Sequence, residues 1–301
     1  MAKELDKFYT KAEIAKQCVN YALPYLQNKI IIEPSAGNGR FLDALEFYNL
    51  CYNALDIKPE DSKNRVIKQN FYDLVLDFDS NIAVIGNPPF GKRTKEAINF
   101  FNHAAKFADV IAFIMPVSAM KWSVQKELSS DFNLVEYHYL PVNSFTVEEE
   151  DYSIRTVFQI WMKNSDKKDL RLKKSPPIKH PDFNLWQYNA TKEAYSAVNE
   201  NWKYATYRQG YRDYNRLFTQ NDKDEIKEMM GGDDYEWING RKNKAIKKKL
   251  VQFFFIEPLT EQAENNILKM DFNALADRNT ITPGFGKADF VSYYKELFDN
   301  Q

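Results

Sequence analysis

Cysteine is nearly absent. Cys18 and Cys51 are the only two in 301 residues, too few for a disulfide framework or for a structural zinc site by themselves. Histidine is as scarce, and His103, His138 and His180 show no ligand spacing, so no metal is expected. Long hydrophobic runs are also missing. No uninterrupted apolar stretch approaches ~18 residues, and the first ten residues lack the apolar core of a signal peptide, so the expectation is a cytoplasmic protein without a membrane partner.

Apolar residues make up 44% of the chain and charged ones 28%, with 22 Phe, 18 Tyr and 5 Trp, enough to build a sizeable core. At roughly 150 residues per domain the length allows two domains. A net charge of -1 conceals local excess. Residues 166–220 hold 11 basic against 6 acidic side chains, and Arg241 to Lys249 hold six basic and no acidic ones. Such clusters suit a polyanion, although from charge alone a solvated face is the commoner reading.

From Ile30 to Met162 short apolar runs recur: Ile30-Ile31-Ile32, Cys51 to Ile57, Val66-Ile67, Ile82 to Ile85, Val110 to Met115, Leu134 to Leu140 and Val157 to Met162. Between several of them the period becomes helical, as in Phe41, Leu42, Leu45 and Tyr48. Alternation of this kind predicts an α/β fold, a mostly parallel sheet covered on both faces, with ligands at the carboxyl ends of its strands. The last two runs are separated only by a loop and predict an antiparallel hairpin at one sheet edge. Ahead of the sheet, Thr10 and Glu13 have capping-box spacing before Ile14, Ala15, Cys18, Val19 and Ala22, which predicts a helix from about Lys11. The alternation stops near residue 163, and Asn164 to Pro181 reads as a linker. The expected division is therefore a catalytic domain over 1–165 and a second domain over 166–301, in which a helix is expected at Asn243 to Leu250.

Two loops carry candidate chemistry. The first expected strand runs into Glu33-Pro34-Ser35-Ala36-Gly37-Asn38-Gly39, where Gly37 and Gly39 permit a tight turn and close backbone approach to a ligand. Leu42 stands where a dinucleotide fingerprint needs its third glycine, so a pyrophosphate has no evident cradle. Asp56, ending the second expected strand, is placed to accept both hydroxyls of a ribose. A nucleoside without phosphates fits better. The fourth expected strand ends in Asn87-Pro88-Pro89-Phe90: the prolines stop the sheet and stiffen the loop, Asn87 offers a side-chain carbonyl and Phe90 a ring face. The amine of adenine is a poor nucleophile until its protons are accepted and its nitrogen becomes tetrahedral. The Asn87 oxygen and the Pro88 carbonyl are placed to accept them, which is preorganised polar stabilisation.

The pair Glu-Pro-x-x-Gly-x-Gly and Asn-Pro-Pro-Phe resembles the S-adenosylmethionine-dependent DNA adenine-N6 methyltransferases of restriction-modification type, in the gamma motif order, in which the methionine-binding motif comes first, as Phe8-Tyr9-Thr10 does here. The resemblance spans about residues 8–162 and implies a Rossmann-like class I fold with a C-terminal α+β recognition domain. It further implies that Thr10 and the glycine loop hold the methionine end of the cofactor, with Glu33 near its amino group, Asp56 on the ribose, and Ile57, Asn70 and Phe71 around the adenine. Phe113-Ile114-Met115-Pro116 resembles the family's fifth-strand segment, and Asn143-Ser144-Phe145 before Thr156-Val157-Phe158 resembles the loop whose aromatic packs on a flipped target base. On that alignment Phe145 lies opposite Phe90, with the base between them. The acidic run Glu148 to Asp151 departs from the pattern, because it would repel phosphates.

Residues 203–220 interleave Tyr and Arg, and together with the Arg241 to Lys249 cluster they suggest a domain that recognises adenine-containing duplex DNA, with tyrosines stacking and arginines on phosphates or guanine edges. An aromatic core with arginines outside is the structural alternative. Methylation of adenine in RNA and of glutamine in a protein remain open, since the loop sees only a planar nitrogen; a binding module that has lost its chemistry is the non-enzymatic alternative. The resemblance also leaves room for an associated restriction enzyme.

Overall fold

The structure is a computed structural model that describes residues 8–79, 81–147, 150–187, 201–210, 213–230, 237–238, 241–242, 251–278 and 282–299. It divides into two compact units, Met1–Lys174 and Ser175–Gln301.

In the first unit the apolar runs become strands because their β-branched side chains suit a pleated, buried surface. The strands are β1 (Tyr9–Thr10), β2 (Ile30–Glu33), β3 (Tyr52–Asp56), β4 (Ile67–Lys68), β5 (Ile82–Gly86), β6 (Val110–Pro116), β7 (Phe132–Tyr139), β8 (Phe145–Val147), β9 (Glu150–Tyr152) and β10 (Thr156–Lys163). Seven of them form one sheet in the order β4-β3-β2-β5-β6-β10-β7, parallel except for β10, which runs opposite to both of its neighbours. This is the mostly parallel, Rossmann-like sheet expected from the sequence. The expected hairpin exists in modified form: β10 slots between β6 and β7, so β7 is the edge. β5 and β6 are buried throughout, as strands covered on both faces must be.

Helices α1 (Ala12–Leu26), α2 (Arg40–Phe47), α3 (Lys95–Ala104) and the short α4 (Trp122–Gln125) accompany the sheet. Helix α1 buries Ile14, Ala15, Cys18, Val19, Ala22 and Leu26, the stripe that its 3.6-residue spacing predicts. Its start corrects the expected capping box. Thr10 belongs to β1, and Lys11, in extended conformation with no side-chain cap, is the N-cap. Coverage of the sheet is also less complete than expected. Among the described residues β3–β4 and β4–β5 are joined without an α-helix, only a single 3-10 turn at Phe71–Asp73, and a groove of about 740 Å³ runs over Ile30, Ile32, Leu55, Ile67, Phe78 and Ile82.

A second, three-stranded antiparallel sheet, β1-β8-β9, was not anticipated. Tyr9 pairs with Thr146, Thr10 with Phe145, and Phe145 with Tyr152. The expected linker is partly strapped to the first unit, since the Leu170 amide donates to the Leu134 carbonyl at 2.8 Å and the Arg171 guanidinium to the Ser129 carbonyl at 2.7 Å. The division therefore falls after Lys174 and not after 165.

The second unit has β11 (Phe183–Gln187), β12 (Tyr204–Tyr207), a β13 (Trp237–Ile238) and β14 (Arg241–Lys242) pair, and β15 (Phe253–Pro258), with β15 central between β11 and β12. Helices α5 (Lys223–Met230), α6 (Glu261–Leu268), α7 (Phe272–Arg278) and α8 (Lys287–Phe298) complete it. Phe253, Phe254, Phe255 and Ile256, all fully buried, form the centre of its core. The Tyr/Arg interleave serves this core. Tyr207 and Tyr214 are 4% and 2% exposed, the Arg216 guanidinium pairs with Glu225 at 2.8 Å, and Arg208 donates to Gln252 at 2.5 Å. Tyr207 and Tyr214 thus have no free face for stacking on bases. Tyr211, Arg212 and the helix expected at Asn243 to Leu250 lie outside the described residues, as does most of the Arg241 to Lys249 cluster.

Candidate active site

The order of the central sheet reverses between β2 and β5, which are parallel neighbours with Ile32 beside Val84. Open α/β sheets bind ligands outside the carboxyl ends of the strands at such a reversal. The two loops singled out in the sequence leave β2 and β5 at this point. They therefore face one cavity of about 320 Å³, lined among others by Thr10, Glu33, Gly37, Asp56, Ile57, Asn70, Phe71, Asn87, Pro88 and Pro89. That volume suits a small organic ligand.

The glycine loop is clasped to the end of β3. The Ala36 amide donates to the Leu55 carbonyl at 3.0 Å, the Gly37 amide to Asp56 Oδ2 at 2.8 Å and the Lys58 amide to Asp56 Oδ1 at 2.7 Å. One carboxylate thus fixes the loop and still faces the cavity with its remaining lone pairs. Gly37, at φ +51°, is in the left-handed region that favours glycine, with the Tyr9 ring in ordinary contact beside it. Gly39 has another job. It is buried, does not line the cavity, and at φ +83° makes room for Asp61 and Arg65, whose atoms lie 2.5 and 2.6 Å from a would-be Cβ. Gly39, expected as a cofactor contact, thus shapes the turn and does not itself line the cavity.

Glu33 is 1% exposed and its Oε2 has no hydrogen-bond partner. Its Oε1 accepts from the Ser35 amide at 3.4 Å and presses on Gly86, where a Cβ would stand only 2.0 Å away. Burial, with the negative Asp56 beside it, pushes the Glu33 carboxyl well above the usual carboxylate range, against the opposing Ser35 hydrogen bonds. Ser35 also ties the loops together, its hydroxyl donating to the Asn87 carbonyl at 3.1 Å. The Asn87 side-chain Oδ1 is buried and has no partner. Two unpartnered acceptors at the end of adjacent strands are costly unless a donor meets them.

Around the rim, the Asn70 side-chain oxygen accepts from the Tyr72 amide at 3.2 Å, which leaves its Nδ2 hydrogens to donate. Phe71, 2% exposed, packs on Phe100 and His103, so it forms the cavity floor more than a free stacking face. Ile57 is 57% exposed beside the cavity, available for packing on a ligand. Two pairs escaped the sequence reading. The Tyr9 hydroxyl donates to the Glu60 carboxylate, and the Tyr72 hydroxyl donates to Glu96 Oε1 at 2.6 Å, all four residues lining the cavity. Burial and the Glu96 contact push the Tyr72 phenol above its ordinary range. Each pair joins residues 24 or 51 positions apart and leaves no local pattern.

The expected aromatic sandwich is not arranged as the alignment implies. Phe90 is 4% and Phe145 0% exposed, and neither lines the cavity. The Phe8 ring lies against both, at 5.0 Å from Phe90 and 5.2 Å from Phe145, and stacks on Tyr152 at 5.6 Å and 16°. Phe145 is buried because β8 places it in register with Thr10 and Tyr152 under this cover. The acidic run is partly neutralised, since Asp151 pairs with Lys11 at 2.7 Å; Glu148 and Glu149 lie outside the described residues.

No family model and no curated protein matches this sequence. Solved structures similar in part include the 23S rRNA methyltransferase ErmE (11% identity, 55% of this chain and 73% of that one, TM-score 0.40). They also include a Thermoplasma acidophilum protein (17%, 52% and 88%, 0.39) and the magnesium protoporphyrin IX methyltransferase of Synechocystis PCC 6803, solved with bound S-adenosylmethionine (9%, 50% and 79%, 0.36).

Proposed function

We propose that this chain transfers the methyl group of S-adenosylmethionine to the exocyclic N6 amine of adenine in DNA. The observation that carries this reading is the unpartnered, buried Oδ1 of Asn87, held at the switch point of the sheet beside a cavity of nucleoside size. A planar amine supplies the donors this oxygen lacks. The Asn-Pro-Pro-Phe loop and the glycine loop before it are the motifs that resemble the adenine-N6 methyltransferases, and they support the choice of base and of cofactor.

The residues present fit the cofactor. Asp56 would accept the ribose hydroxyls, Glu33 and Thr10 would hold the methionine end, and Ile57, Asn70 and Phe71 would lie around the adenine. When bound, S-adenosylmethionine would supply an electrophilic methyl group: the S–CH3 bond breaks as the N6–CH3 bond forms, S-adenosylhomocysteine leaves with the electron pair, and one N6 proton is given up to solvent. The orphan Oε2 of Glu33 meets the positive amino group of the methionine end, which favours the carboxylate form. On the substrate side, Asn87 Oδ1 and the Pro88 carbonyl accept the two N–H hydrogens of the amine as its nitrogen leaves planarity. Those hydrogen bonds strengthen toward the transition state, where they lower the barrier, and the stiff Pro88-Pro89 pair holds them in place without reorganisation.

The test is transfer of labelled methyl groups by the full chain to duplex DNA, single-stranded RNA and a protein extract, followed by digestion to nucleosides or amino acids. N6-methyladenine in DNA is expected. Label in RNA alone would move the substrate to RNA, and label on glutamine would replace the reading with protein methylation.

A further inference from the structure

Phe8 fills the space that a target ring needs. The motif alignment sets Phe90 and Phe145 on either side of a base, and the structure shows a third aromatic ring touching both, with Tyr152, 41% exposed, stacked on its outer side. Phe90 and Phe145 are buried and do not line the cavity, while the partly exposed Phe8, which touches both, does line it together with Asn87 and Pro88. The Asn87 Oδ1, at the same cavity, is shielded from solvent and unsatisfied. Phe8 is held lightly by the backbone: it precedes the β1–β8 ladder, which begins at Tyr9 and comprises two residue pairs. Its ring therefore has a route out by side-chain rotation or by opening of that short ladder, neither of which disturbs the central sheet.

We propose that Phe8 is a specificity-determining residue that stands in for the target ring between Phe90 and Phe145, and that an entering adenine must displace it. This rests on the function proposed above. A planar aromatic guest regains the ring contacts that Phe8 gives up, and it adds donors for Asn87. A non-aromatic side chain, or water, recovers neither. The protein then stays closed to small polar molecules and opens only for a ring that carries an amine. Because part of the intrinsic affinity is spent on displacing Phe8, the apparent affinity for the base is lowered by the fraction of closed molecules.

The experiment titrates adenosine into the full chain saturated with S-adenosylhomocysteine, which keeps the nucleoside out of the cofactor cavity, and compares the native chain with Phe8→Ala, Phe8→Leu and Phe8→Trp. The melting temperature of each variant is recorded in parallel. The proposal predicts tighter adenosine binding by Phe8→Ala, on the order of tenfold, a smaller gain for Phe8→Leu and a loss for Phe8→Trp. Equal or weaker binding by folded Phe8→Ala and Phe8→Leu would make Phe8 a fixed wall of the site and overturn the proposal, as would adenosine binding to none of the four proteins. Tighter binding by Phe8→Ala with no methyl transfer to any adenine would leave the displacement standing and remove the proposed reaction alone.

Discussion

Glu33 ends β2 and Asn87 follows the end of its parallel neighbour β5, each with a buried oxygen that no protein group satisfies. Removing the acceptor at Asn87 by Asn87→Ala should lower the single-turnover methyl-transfer rate by a factor on the order of 100 to 1,000, as when one preorganised partner of a developing charge is deleted. Calorimetry should find cofactor affinity little changed, and an equal loss in both quantities would move Asn87 into the cofactor site. Glu33 makes a pH prediction. Its folded-state pKa lies above the unfolded value, so the folded chain holds the proton more tightly. The stability this provides is complete below the ordinary carboxylate range and is lost as pH rises through the raised value. Ligand-free melting temperature should therefore fall over that window, and Glu33→Gln should flatten the dependence. Cofactor binding needs the carboxylate, so affinity should rise over the same window. Opposite slopes in the native chain, both reduced in Glu33→Gln, are the expected result; parallel slopes would assign the titration to another group.

Most of the elements around the site follow from pattern. The strand-forming runs from Ile30 to Met162 were legible as short apolar runs alternating with helical spacing, and the buried stripe of α1 because its apolar residues recur at helical intervals over fifteen residues. The β1-β8-β9 sheet was not, since strands of two and three residues carry no period and the Tyr9–Thr146 pairing spans most of the unit. Thr10 shows the cost of reading locally: its spacing to Glu13 suits a cap, and a tertiary pairing with Phe145 overrides it. Gly39 was legible as a turn, but not as the residue that admits the Asp61–Arg65 pair, because that pair sits in an aperiodic loop. Gly86 is the element-scale counterpart of Glu33. A methyl group there would meet Glu33 Oε1, so Gly86→Ala should push the carboxylate out of place and cut cofactor affinity by tenfold or more, on the order of 1.4 kcal/mol. Titration calorimetry on the folded variant is the check, and native affinity would show that the end of β5 yields easily.

At the scale of the whole molecule, the first unit holds the candidate site, and the second a separate core in which, among the described residues, Tyr207 and Tyr214 are buried and Arg208 and Arg216 have partners within the unit. The basic clusters of residues 166–249 remain the sequence argument for a polyanionic substrate. Duplex binding should then weaken with salt along a log-log slope of about -0.9 per phosphate contact, whereas cofactor binding should barely respond. A flat slope for the duplex would favour a protein substrate. The central claim, that the Asn87 loop presents an adenine amine for methylation, is tested most directly by identifying the bond formed. The full chain is incubated with S-adenosylmethionine carrying a 13C methyl group and with duplex DNA carrying 15N at adenine N6. A one-bond 13C–15N coupling in the product, lost over the same time with Asn87→Ala, is predicted. A labelled methyl on any other atom, or a coupling undiminished in Asn87→Ala, would contradict it.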